Sequence, residues 1–137
     1  MDETELEAAF LTTNYTILKS AIFKEDLVLK IGEIADFSSI LPSLIEWVFL
    51  TAWNPLPDVL STEQNEQRNN ALLAELTESG FETHVGVGIS EDGNWSEESF
   101  LIENISKEKA LFYAKKFGQR AFVHGVKNQK AELVFAK

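Results

Sequence analysis

Leu6, Ala9, Phe10 and Thr13 recur at helical spacing, which predicts a short N-terminal helix with one packed side. From residue 15 to residue 31 the period changes to two. Ile17, Ala21 and Phe23 precede Lys24-Glu25-Asp26, and Leu27, Leu29 and Ile31 follow it, so a hairpin is expected. Residues 34–42 mix aspartate, serines and apolar positions before Pro42 and read as an irregular connection. Residues 46–53 form an aromatic and aliphatic strand that Pro55 and Pro57 stop.

Ser61 with Gln64 is a capping-box start; Leu72, Leu73 and Leu76 carry the apolar stripe of the helix that follows, and Gly80 closes it. Val85, Val87 and Ile89 then alternate with Gly86 and Gly88, and Glu91-Asp92-Gly93-Asn94 is a turn signal. A returning strand is expected over residues 99–105. Ser106 caps a second helix with Ala110, Tyr113, Ala114 and Phe117 on one face before Gly118. Residues 121–126 and 131–136, joined through Lys127-Asn128-Gln129, make a final hairpin.

From residue 46 to residue 126 this order is strand, helix, strand, strand, helix, strand. It predicts an α+β fold with a ferredoxin-like split βαβ core (βαββαβ), an antiparallel sheet with helices on one face. The N-terminal helix and hairpin (1–45) and an extra C-terminal strand (127–137) flank that core (46–126), and the chain reads as one domain, 1–137. Chain directions in this arrangement send residues 51–55, the start of the first core helix, residues 92–99 and the Gly118-Gln119-Arg120 turn to the same edge of the sheet.

Composition narrows the classes of function. The 137 residues carry 22 acidic and 12 basic side chains, a formal charge of −10, so the overall field repels a nucleic-acid backbone. Lys107, Lys109, Lys115, Lys116 and Arg120 are the one basic concentration and read as a solvated helix face rather than a phosphate patch. With no cysteine there are no disulfides, thiolate metal sites or cysteine nucleophile. The acidic start does not look like a secretory signal, and no apolar run approaches the roughly 20 residues that span a bilayer; a cytoplasmic, soluble chain is the expectation, either monomer or homodimer.

Candidate chemistry gathers at the shared edge. Asn65, Asn69, Leu72 and Leu76 lie on one helical stripe that begins polar and ends apolar. Amides turned toward a core must find hydrogen bonds, since each buried group left without one costs about 1–3 kcal/mol. Either the protein or a ligand supplies them. Asn54 at the strand end, Glu97, Glu98 and Ser99 after Trp95, and Gln119 complete the candidate cluster. A carboxylate beside tryptophan is a candidate general acid or base, or else a cap or ion-pair partner for Arg68 or Arg120. The bare strand face at Gly86 and Gly88 implies a close approach, by a large side chain or helix more readily than by a cofactor. His84 and His124 lack metal-ligand spacing and read as packing or surface residues; no nucleophile elbow, dinucleotide fingerprint or phosphate loop is present, so no catalytic residue, cofactor or metal is assigned.

The set Thr51-Ala52-Trp53-Asn54-Pro55, Asn65 with Asn69 and Leu72, Trp95 with Glu97-Glu98-Ser99-Phe100, and Phe117-Gly118-Gln119 followed by Ala121 resembles the DUF3293 family of small bacterial proteins of unknown function. The resemblance covers roughly residues 47–123. It implies a compact α+β domain whose signature residues are these polar ones, and no activity or cofactor. Two expectations stand: a small polar ligand bound by Asn54, Asn65, Asn69, Glu97, Glu98, Ser99 and Gln119, or a non-catalytic protein-interaction module with an acidic surface and a structural amide cluster.

Overall fold

The computed structural model describes residues 2–55 and 59–137; Pro57, expected to help stop the strand before it, lies outside the described residues. The elements are α1 (Glu3–Thr12), β1 (Asn14–Ile17), β2 (Leu27–Leu29), β3 (Glu46–Leu50), α2 (Thr62–Glu78), β4 (Thr83–Ile89), β5 (Ser96–Glu103), α3 (Lys107–Lys116), β6 (Ala121–Val126) and β7 (Glu132–Phe135). The strands form one sheet in the order β2-β1-β4-β5-β3-β6-β7, antiparallel at every neighbouring pair. The fold is α+β.

Helix α2 begins where its capping box places it. Ser61 Oγ accepts the Gln64 backbone N–H at 3.1 Å, and the Gln64 side chain accepts the Ser61 N–H at 3.1 Å. At the other end the Phe81 N–H reaches back to the Leu76 carbonyl, ending the helix around Gly80. Between them Leu72 and Leu76 are fully buried, each contributing about 1.5–3 kcal/mol by leaving water.

Period two in the central strands divides the core in two. Val48 and Leu50 of β3 and Phe100 and Ile102 of β5 face α2 and α3, meeting Leu72, Leu76, Ala110 and Ala114. Trp47 and Phe49 of β3, Leu101 of β5 and Val123 of β6 point the other way, against Phe23, Phe37 and Leu44 from the connections. Helix α1 buries Leu6, and its Phe10 packs on this second cluster. Among the described residues no helix is long and apolar enough to cross a membrane.

Several boundaries differ from the sequence expectation: β2 ends at Leu29 rather than Ile31, β5 ends at Glu103 rather than residue 105, and three others have an evident cause. The first hairpin pairs Tyr15 with Leu29 and Ile17 with Leu27, but Ala21 and Phe23 lie in a long connection rather than in the strand. Phe23 leaves the strand because its ring plugs the second cluster, edge-on to Phe37 and His84. β3 stops at Leu50 instead of reaching residue 53, since side chains take over the backbone hydrogen bonds from Thr51 onward. β5 begins at Ser96, three residues before the expected start, because β4 is long enough to pair with it from Ile89.

Gly86 resolves the close approach expected from the glycine pair. A Cβ there would sit 2.7 Å from Phe49 Cε2 and 2.8 Å from the Thr16 carbonyl oxygen, so the neighbour is an aromatic side chain. His84 is hydrogen-bonded to Glu103 at 2.6 Å, and His124 to Glu46 at 2.6 Å and Glu132 at 3.2 Å. The basic helix face is partly paired: Lys107 meets Glu132 and Lys116 meets Glu75.

Candidate functional site

The end of β3 is tied to α2 by amides. Asn69 Oδ1 accepts the Ala52 N–H at 2.8 Å, and Asn65 Oδ1 accepts the Asn54 N–H at 2.7 Å. Thr51 Oγ1 accepts the Trp53 N–H at 3.0 Å and donates to the Glu98 carbonyl, which also receives Asn69 Nδ2 at 2.8 Å. Arg68 Nε donates to the Ala52 carbonyl at 2.8 Å, and its Nη2 donates to the Phe117 carbonyl. Gln119 Nε2 donates to the Trp53 carbonyl at 3.1 Å. Residues far apart in sequence thus meet at one edge of the sheet.

Asn54 is the hinge of this network. Its φ of 44° lies in the left-handed region, which asparagine tolerates better than most residues. Its Oδ1 accepts Asn65 Nδ2 at 2.8 Å and the Leu60 N–H at 2.9 Å, so the amide nitrogen is the group left to hydrogen-bond the Glu97 carboxyl. The Trp95 side chain also hydrogen-bonds Glu97; as indole N–H is a donor only, the carboxyl accepts from both. Burial outweighs these two donors and pushes the Glu97 carboxyl up to about 7.

Glu97 stands in the wall of an open groove of about 700 Å³ on the sheet face away from α2 and α3. Helix α1 supplies one side through Leu6 and Phe10, and the sheet supplies Tyr15, Phe49 and Val123 as its floor. Gly88 is paired with both Tyr15 and Glu97 across its two neighbouring strands, and its missing side chain keeps the space between them open. The Tyr15 hydroxyl donates to the Phe10 carbonyl at 2.9 Å; burial, and secondarily the nearby Glu97, raise its pKa well above the ordinary phenol value.

The candidate residues therefore divide by position. Glu97, Ser99 and Gln119 line the groove, with Ser99 Oγ donating to the Glu97 carbonyl at 3.0 Å. Asn54 supports Glu97 from behind the wall. Asn65 and Asn69 are buried and their amides are bonded to Asn54, Leu60, Thr51, Ala52 and Glu98. Glu98 offers its carbonyl to the network while its side chain is exposed. Arg68 bonds two carbonyls rather than either glutamate. Tyr15, Phe49 and the α1 residues were not among the candidates; the close approach expected at the glycine pair is found at Gly86 alone, since a Cβ at Gly88 would meet its nearest atom at 3.7 Å. Among the described residues no group of three or more His, Asp or Glu side chains is placed to hold a metal ion.

A family model described as protein of unknown function, DUF3293, matches residues 50–122, the segment that builds the amide network and carries Glu97, Ser99 and Gln119, while the floor residues Tyr15, Phe49 and Val123 lie outside it. No curated protein and no solved structure matches the chain.

Proposed function

The chain belongs to the DUF3293 family of proteins of unknown function, and on that footing we propose that it is a small-molecule binding domain whose ligand occupies the groove beside Glu97. The observation that carries this reading is the Glu97 carboxyl itself. Placing it half-buried in a largely apolar groove raises the energy of its charged form, and the Asn65-Asn54-Glu97 chain of hydrogen bonds holds it there. A concave, mostly apolar site with a few converging polar groups is the usual form of a small-molecule pocket, and its volume falls in the usual range. A carboxyl titrating near neutrality also suits proton exchange with a bound molecule.

Glu97, Ser99 and Gln119 meet the ligand in this reading. Asn54, Asn65 and Asn69 position them, and Glu98 anchors the network through its backbone. The ligand combines an apolar body with a polar end, which narrows the small polar ligand expected from the amides. We read β3, α2, β4, β5, α3 and β6 as a ferredoxin-like split βαβ unit, which the strand order β4-β5-β3-β6 supports. Residues 1–137 are taken as one cytoplasmic domain, a reading supported by the acidic, cysteine-free sequence.

A thermal-shift screen of metabolites against the wild type and Gly88→Leu tests the proposal. A Cβ at Gly88 makes ordinary contacts, the nearest at 3.7 Å, so a side chain can start there and leucine's outer carbons take up groove space, with circular dichroism checking that the fold is kept. A ligand at about 100 times its Kd adds about 2.7 kcal/mol to wild-type stability, and that gain should vanish in Gly88→Leu. Hits that stabilise both proteins equally, or no hits at all, would remove the groove as the binding site.

A further inference from the structure

We infer that the groove takes an organic cation, an amine on a flat apolar body, with Glu97 as its counter-ion. The inference rests on the groove being a ligand site and adds the ligand's charge. The charged side chains among the described lining residues are Glu91, Asp92 and Glu97, and none is lysine or arginine. An anionic ligand would enter against like charge, whereas a cation is attracted along the whole approach.

Neither hydrogen-bond partner of Glu97, Trp95 or Asn54, carries positive charge, so the protein holds this carboxyl without neutralising it. A carboxylate accepts about four hydrogen bonds, and two donors leave capacity for an ammonium group. Asp92, at the groove's rim, is held ionised by the Asn94 backbone N–H and the Ser90 hydroxyl. It adds to the negative potential.

The apolar surface fits the same guest. Phe10, Tyr15, Phe49 and Trp95 all line the groove, and the face of an aromatic ring attracts a cation within about 6 Å of its centre. The Tyr15 hydroxyl donates its proton to the Phe10 carbonyl, so toward a guest it can act only as an acceptor, which suits an ammonium group.

Isothermal titration of the folded chain with three compounds that share an indole and a two-carbon arm tests the charge directly: tryptamine, its alcohol tryptophol and indole-3-propionate. At pH 8 tryptamine should bind at least tenfold more tightly than tryptophol, and indole-3-propionate should bind weakest. In Glu97→Gln, checked for folding by circular dichroism, tryptamine should fall to the affinity of tryptophol. Equal or stronger binding of tryptophol or the acid by the wild type overturns the cation inference while leaving the groove as a ligand site. Failure of all three to bind overturns the cation inference for this probe body and counts against the groove reading as well. The wild-type comparison decides the matter even if Glu97→Gln does not fold.

Discussion

Asn65 holds Asn54 at two points: its Oδ1 accepts the Asn54 backbone N–H at 2.7 Å, and its Nδ2 donates to Asn54 Oδ1 at 2.8 Å. One asparagine thereby fixes both the left-handed backbone and the side-chain direction of another. Asn54 is then left with its amide nitrogen for the Glu97 carboxyl.

Removing that grip should be expensive. Asn65→Ala strands a buried N–H and weakens the hold on a buried carbonyl oxygen, and each such group costs about 1–3 kcal/mol. Urea denaturation should show a loss of about 2–4 kcal/mol. Asn54→Gly, which frees the φ of 44° from its steric penalty, should cost less than Asn54→Ala, by about 1 kcal/mol.

Glu97 predicts a pH dependence of stability. Its pKa rises from the ordinary 4.5 to about 7 on folding, so between those values the folded chain holds a proton that the unfolded chain has released. The stabilisation is complete below about pH 4.5 and is lost as pH rises through about 7. Tyr15, Glu91 and Asp92 also face the groove, so the difference between the wild type and Glu97→Gln isolates the effect. At pH 8 Glu97→Gln should be the more stable by on the order of 1–3 kcal/mol, after allowing for partial solvent screening, and the gap should narrow toward pH 4. A gap that is constant with pH would show that Glu97 ionises as an ordinary carboxylate.

Gly86→Ala should destabilise the fold by about 1–3 kcal/mol, because its Cβ meets the Phe49 ring and the Thr16 carbonyl. Gly88→Ala, two residues along the same face, should be nearly neutral, since its contacts are of ordinary length. Thermal unfolding of the two variants side by side checks the contrast.

Arg68 joins three elements through two carbonyls, Ala52 after β3 and Phe117 at the end of α3. Arg68→Met keeps the apolar stem and deletes both bonds, and hydrogen bonds from charged groups contribute about 1.5–3 kcal/mol each. A loss of about 2–4 kcal/mol in chemical denaturation is expected. Arg68→Lys, with one point-like donor group in place of the fork, should recover only part of it.

Much of the edge was legible in the sequence because local rules determine it. The Ser61 and Gln64 capping box starts α2, and spacing of four, three and four residues puts Asn65 and Asn69 above Leu72 and Leu76. The order of elements alone brought residues 51–55, 97–99 and 118–119 together. The groove was not legible, because its floor depends on Tyr15 and Phe49 meeting across strands distant in sequence and on α1 lying over them. Nor could periodicity show that Phe23 leaves its strand to fill the second cluster, or that Asn65 and Asn69 turn to backbone groups while Glu97 faces the open space. Those outcomes are tertiary, set by which side chains compete for the same volume.

The most direct test of the central claim is a ¹H–¹⁵N NMR titration of the folded chain with tryptamine. The expected result is a cluster of shifted amides at Tyr15, Gly88, Glu97 and Gln119 that saturates with one site and is lost in Gly88→Leu. Shifts that map instead to the smaller hollow of about 260 Å³ beside Phe37, Trp47 and Lys127, or that persist unchanged in Gly88→Leu, would contradict it.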